Sequence, residues 1–283
     1  MLAIVGTVPC EDVPIVVGRA DLQDGLLQVE DRRFPVNRGT PALLAASVTV
    51  CKALGLPLPL AYLVGDTGPG KGSRRLYDYL TRHIGEVEWD VLTFHYLQPD
   101  ADWHNKVLFA IEDMSNRPVL IADAGFMYAA KMSGQAEAYD LFTPDVGELA
   151  FLADEEAPHP FYTRGFILHR EDDAPEMIAR AYEHANAARN LLVKGRKDYM
   201  ADRQGIRAIV DQPSEEALEA IGGTGDTLTG IVSALIGSGM PLLEASQKAA
   251  RMNRVAGALA QPTPATQVLD IITHIAAALK QVL

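Results

Sequence analysis

The residues best suited to chemistry lie in one short run, GGTGDTLTG at 222–230, where glycines open directly into an apolar stretch of helical composition. Gly222, Gly223 and Gly225 tolerate positive φ and place no side chain in the path of a ligand. An anion can therefore approach backbone N–H groups at a helix N-terminus, which also carries partial positive charge. A transferring phosphoryl group suits such a site. Asp226 follows in the first helical turn and sets a negative charge beside the anion, which binding alone does not call for. A carboxylate there makes sense as the base that takes a proton from an attacking hydroxyl. The competing explanation is structural, because an acid in the first turn also stabilises a helix start.

Further segments accompany this run in a fixed order: GPGKG at 68–72, ADAGF at 122–126 after an apolar VLI, TPDVGELAFL at 143–152, VKG at 193–195 and DRQG at 202–205. With GGTGD they resemble the ribokinase-like superfamily, and most of all its ATP- or ADP-dependent NAD(P)H-hydrate dehydratase branch, the YjeF-type carbohydrate kinases. The resemblance spans roughly residues 60 to 260. It implies an α/β fold, a three-layer αβα sandwich with a mostly parallel central sheet, and an enzyme using ATP or ADP with Mg²⁺. Asp226 would be the catalytic base, with the backbone of Gly222, Gly223, Thr224 and Gly225 as the anion hole. Lys194 and Gly195, at a strand's carboxyl end, would reach nucleotide phosphates, although Lys194 also reads as an ordinary surface lysine. Glu148 occupies the place of a magnesium-organising glutamate, and Mg²⁺ prefers oxygen ligands; an acid at a helix start is the alternative. Asp123, Asp145 and Arg38 stand as the substrate-side candidates, Asp123 because open α/β sheets bind ligands at strand carboxyl ends. A strand-terminating turn would also explain Asp123.

The pattern departs from that branch in three places. Asp145 and Val146 replace its histidine and proline, and an extra strand at 91–97 lengthens the interval between GPGKG and ADAGF, so an equivalent turn falls near residues 98–100. The branch's N-terminal glycine-rich motif is replaced by NRGTPALLAAS at 37–47, where Arg38 is available to an anionic substrate. The primary expectation is thus a kinase that transfers the terminal phosphate of ATP or ADP to a small-molecule hydroxyl. The alternatives are a dehydratase, in which phosphorylation makes the hydroxyl of damaged NAD(P)H a leaving group, and a nucleotide-binding sensor without turnover. A rival motif is GDTGPGKG at 65–72, which nearly spells a P-loop but has Gly72 where a Mg²⁺-binding Ser or Thr belongs. The seven histidines show no helical i,i+4 pair for zinc, and no G-x-S-x-G elbow is present.

The elements that must position these residues follow from the patterning. At 283 residues, and about 150 per domain, the simplest reading is one ribokinase-like domain over 1–283. Short apolar runs LAIVG, PIVVG and LLQVE open the chain as strands; strands at 61–65, 91–97, 119–124, 141–144 and 191–195 then alternate with helices. A hairpin is expected at 197–210, helices at 176–190, 224–236, 242–259 and 265–283, and an irregular insertion at 159–175. Alternation of this kind gives right-handed crossovers and a parallel sheet covered on both faces. The formal net charge of −12 argues against nucleic acid as a partner. Two cysteines, no signal-like start and a 41–65 apolar stretch broken by Pro57 and Pro59 point to a soluble cytoplasmic protein with no membrane span. Apolar C-terminal helices are compatible with a homo-oligomer.

Overall fold

The computed structural model describes residues 1–160, 173–263 and 265–283, so most of the stretch at 159–175 lies outside the described residues. Leu2–Val8 (β1) is buried along nearly its whole length, and its side chains alternate between two cores: Ile4 and Val8 face one, Ala3 and Val5 the other. An antiparallel meander follows, Val16–Gln23 (β2), Leu26–Val29 (β3) and Arg32–Pro35 (β4). Next come Thr40–Leu54 (α1), Leu60–Gly65 (β5), Lys71–His83 (α2), Val91–His95 (β6), Ala101–Glu112 (α3), Val119–Ala122 (β7) and Ala124–Met132 (α4). Leu141–Phe142 (β8), Val146–Ala153 (α5), Ala174–Glu183 (α6), Asn190–Val193 (β9) and the hairpin Asp198–Asp202 (β10) and Gly205–Val210 (β11) continue the alternation. Thr224–Gly237 (α7), Leu242–Leu259 (α8), Val268–Thr273 (α9) and Ile275–Val282 (α10) complete it.

The described strands form one sheet in the order β11-β10-β9-β8-β7-β6-β1-β5-β2-β3-β4. Strands β9, β8, β7, β6, β1 and β5 run parallel, and antiparallel strands extend the sheet at both edges. Helices α1 and α7 to α10 pack on one face, α2 to α6 on the other. This is the expected α/β, three-layer αβα sandwich. Strand β1 lies between β5 and β6: the chain runs from β1 to β5 on one side, then crosses back past β1 to β6, so the direction of strand addition reverses there. The crevice at the carboxyl ends of strands beside such a reversal is where open α/β sheets take ligands.

Helix α1 is buried over most of its length, and so is α7; the two cross closely enough that a Cβ on Gly230 would lie 2.1 Å from the Leu43 carbonyl oxygen. The apolar stretch at 41–65 resolves into α1, a left-handed turn at Gly55 and β5, and among the described residues no helix is long and apolar enough to cross a membrane. Two helices expected from sequence are shorter than their composition suggests. The one expected to reach residue 190 stops at Glu183, where the Asn186 N–H bonds to Ala181 O and the Ala185 N–H to Tyr182 O, with Ala185 at φ 54°. That is a left-handed helix stop built on alanine rather than glycine, so composition does not announce it. The stretch at 265–283 divides at His274 into α9 and α10.

Candidate functional site

Four strand ends and the starts of α5 and α7 converge on a cavity of about 360 Å³, lined by His95, Asp123, Asp145, Glu148, Lys194 and Asp226 among others; the start that carries Asp226 is that of α7. Gly223 adopts φ 102°, which only glycine takes without strain, and no side chain caps the first-turn N–H groups. The backbone of Gly223, Thr224 and Gly225 therefore faces the cavity together with Asp226.

Asp226 is 9% exposed, and both of its oxygens have partners. Oδ2 accepts the Gly39 N–H at 2.6 Å, and Oδ1 lies 3.0 Å from His95 Nε2. Burial works to raise the carboxyl's pKa, but the His95 hydrogen bond and charge, the Lys194 ammonium and the Gly39 N–H together hold it below the usual range. Asp226 is thus ionised at neutral pH, and the His95 ring presents Nε2–H to it. The other ring nitrogen, Nδ1, lies 3.0 Å from Thr40 Oγ1 at the start of α1. Gly6 of β1 permits this arrangement, because a Cβ there would come within 2.4 Å of Thr40 Oγ1 and 2.6 Å of the His95 carbonyl.

Lys194 follows β9 and donates to both oxygens of Asp123, at 3.0 and 2.9 Å. Asp123, 1% exposed, also accepts the Ala124 N–H at 2.9 Å and the Thr229 hydroxyl at 2.7 Å. These four hydrogen bonds, from three donor groups, fill the acceptor positions of a carboxylate. Burial alone would lower the Lys194 pKa; the Asp123 carboxylate, then Glu148, raises it, so the ammonium persists. Lys194 is neither an isolated surface lysine nor free of the site: a Cβ on Gly225 would lie 3.5 Å from its Nζ.

Asp145 and Glu148 cap the start of α5 reciprocally, the Glu148 N–H donating to Asp145 Oδ1 at 2.7 Å and the Asp145 N–H to Glu148 Oε2 at 2.9 Å. Tyr128 donates its hydroxyl to Glu148 Oε1 at 3.3 Å. Burial, then the Asp145 and Asp123 carboxylates, pushes the Glu148 carboxyl up to about 8. Gly195 is engaged through its backbone: its N–H donates to Asp198 and its carbonyl accepts from Arg254, which pairs with Asp198 at 2.7 Å. Gly222 and Arg38 are not among the cavity-lining residues; Arg38 is exposed and its Cα would be 3.2 Å from a Cβ on Gly223.

Oxygen-rich Asp145 and Glu148, with the Glu148 carboxyl raised by burial and then by neighbouring negative charge, fit a hard divalent cation that keeps most of its waters. His95, Asp123 and Asp226 also bring one ligand atom each within 4.8 Å of one another. That group suits a metal less well, because the Lys194 ammonium already pairs with Asp123 inside it.

The sequence reading places no role on His95, Gly39, Thr229 or Tyr96. A histidine closing an otherwise apolar parallel strand, at the end where such sheets bind ligands, is the one signal that could have found His95. The P-loop alternative fails on geometry. In the 65–72 loop the Asp66 carboxylate itself accepts the N–H groups of Gly68, Gly70 and Ser73 and the Ser73 hydroxyl, so the cradle is already filled by an anion of the chain. Its glycines serve packing: a Cβ on Gly72 would lie 1.9 Å from the Gly65 carbonyl oxygen. The residues at 98–100 lie against this loop, with Gln98 Cβ 3.4 Å from where a Cβ on Gly70 would sit.

A family model described as NAD(P)H-hydrate dehydratase, of carbohydrate-kinase type, matches residues 99–279. An uncharacterized protein of Methanocaldococcus jannaschii is 41% identical over 220 residues, covering 77% of this chain and 90% of the relative. An ADP-dependent (S)-NAD(P)H-hydrate dehydratase of Cenarchaeum symbiosum is 30% identical over 155 residues, which cover 55% of this chain and 48% of the relative's length. Among solved structures, a ribokinase-like superfamily protein of Enterococcus faecalis superposes with a TM-score of 0.58 at 14% identity, over 99% of this chain and 86% of that one. The structural likeness identifies the fold as ribokinase-like.

Proposed function

We propose that this chain, which belongs to the NAD(P)H-hydrate dehydratase family, uses ADP or ATP to return hydrated NAD(P)H to NAD(P)H. The observation that carries the proposal is the ionised Asp226 carboxylate, held at the uncapped start of α7 beside the backbone of Gly223, Thr224 and Gly225. Asp226 accepts the proton of the hydrate's hydroxyl as that oxygen attacks the terminal phosphorus; the new O–P bond forms while the P–O bond to the nucleotide breaks. The N–H groups at the helix start stabilise the charge on the transferring group. The ring nitrogen's electron pair then expels phosphate, and loss of a proton from the adjacent carbon restores the ring double bond. A plain kinase would share the first step and stop there; the family match supports the dehydratase outcome.

Lys194, fixed by Asp123, has a third N–H for a phosphate oxygen. His95 and Gly39 hold Asp226 in place, so they act through it. Asp145 and Glu148 are the residues that would hold Mg²⁺, whose charge would offset that of the nucleotide phosphates.

The test is recovery of reduced-nicotinamide absorbance from hydrated NADH with Mg²⁺ and ADP or ATP. Wild type should show nucleotide-dependent recovery, and Asp226→Asn should lose about 10²–10⁴ in rate while its nucleotide Kd changes little. An Asp226→Asn variant as active as wild type would remove the base assignment. No recovery by wild type with either nucleotide would remove the dehydratase reading.

A further inference from the structure

Carboxylates and basic side chains share the cavity wall about equally with apolar surface, and one large aromatic ring stands open on it. Tyr96 follows β6, lines the cavity, and is 47% exposed; of the lining residues it is the one tyrosine, phenylalanine or tryptophan. Its backbone sits at φ 48°, an uncommon conformation for a bulky residue, and strain of this kind persists only where the surroundings enforce it. Those surroundings are visible. The Tyr96 carbonyl accepts the Thr7 hydroxyl at 2.7 Å, the ring meets the His95 ring edge-on at 4.2 Å, and Gly39 leaves room beside it, since a Cβ there would already be 3.7 Å from Tyr96 Cδ2. His95 and Gly39 are also the two residues that hold the Asp226 oxygens. The ring and the carboxylate therefore border the same patch of cavity, fixed by shared neighbours.

We propose that the Tyr96 ring is the platform on which the nicotinamide-derived ring of the hydrate stacks, an inference that rests on the dehydratase reading above. The hydrate has lost one ring double bond but keeps its conjugated N–C=C–C=O unit, so most of its ring is flat and uncharged. Charged walls give such a ring no orientation, whereas an aromatic face recognises it by stacking. Seated there, the ring presents its hydroxyl-bearing edge to Asp226, and the nucleotide phosphates occupy the start of α7. The strained backbone keeps the platform at one angle, which matters because a hydroxyl displaced by about an ångström from its reacting partner costs rate steeply.

The experiment compares wild type, Tyr96→Phe and Tyr96→Ala with hydrated NADH at saturating nucleotide, and measures nucleotide Kd and Tm alongside. Stacking predicts that Tyr96→Ala raises KM for the hydrate by about five- to tenfold, with nucleotide Kd and Tm unchanged, and that Tyr96→Phe restores wild-type KM. Binding of NADH itself, followed by its nicotinamide fluorescence, should weaken in parallel. Three results overturn the platform while leaving the dehydratase intact: wild-type KM in Tyr96→Ala, a fall in kcat at constant KM, or a weakened nucleotide Kd at constant hydrate KM, which would place the adenine there instead. No turnover of the hydrate by wild type overturns both readings at once.

Discussion

Glu148 and Asp226 share one cavity, yet their surroundings drive them in opposite directions, the arrangement that lets two carboxyls take different roles. Asp226 is depressed, so its contribution to stability is present above the ordinary carboxylate range and disappears as pH falls through its folded value. Glu148 is raised to about 8 by burial and then by Asp145 and Asp123. Below its unfolded value of 4.5 both states carry the proton and the group is neutral in its effect. Between there and about 8 the unfolded chain has ionised while the folded one has not, so stability falls as pH rises and stays lost above that window. Glu148→Gln keeps the reciprocal cap, because glutamine also accepts at that position, and removes the penalty. The variant should therefore melt higher than wild type at pH 8 and above, by about 2–4 °C for each kcal/mol recovered, and the two melting curves should converge below pH 4.5. A constant difference across that range would show that the carboxyl's charge is not the cause.

Helices α1 and α7 decide the site's geometry between them, since one begins beside Gly39 and Thr40 and the other carries Asp226. Their close crossing depends on Gly230, where a Cβ would meet the Leu43 carbonyl oxygen at 2.1 Å. Gly230→Ala should cost about 1–3 kcal/mol through overpacking, despite alanine's better helix propensity. Gly237→Ala on the same helix has its nearest neighbour at 3.7 Å and should leave Tm unchanged or slightly raised. Equal melting temperatures for the two variants would mean that the crossing can widen freely. What the sequence reveals follows the same division between local and distant. GGTGD is legible because loop, helix start and carboxylate are neighbours in the chain, and the alternating strands and helices are legible from their periods. Strand β4, Arg32–Pro35, is hidden by its charges and proline, and α6 stops at Glu183 with a left-handed Ala185 after it and no glycine to announce it. His95 is announced only by its place at the carboxyl end of an apolar parallel strand, because its partner lies 131 positions away.

At the scale of the whole molecule, the proposed function asks a chain with a formal net charge of −12 to admit a nucleotide that is itself anionic. The cavity mouth adds Glu215, Glu216 and Glu219 to the carboxylates inside, against Lys194, Arg196 and Arg254. Nucleotide should therefore bind well only with Mg²⁺. At a free concentration of 100 Kd the stabilisation is about 2.7 kcal/mol, so Tm should rise by about 5–11 °C with Mg²⁺ and ADP or ATP, and much less with nucleotide and chelator. An equal rise under both conditions would show that the cation is dispensable for binding. The hydrogen bonds that hold Asp226 link it to residues 187 and 131 positions earlier, Gly39 and His95. Synthesis runs in that order: β1, α1 and β6 are made before α7. The carboxylate arrives only when α7 has been translated and docked. Under the proposed role of Asp226, a growing chain on the ribosome therefore lacks its base until one late helix has been placed.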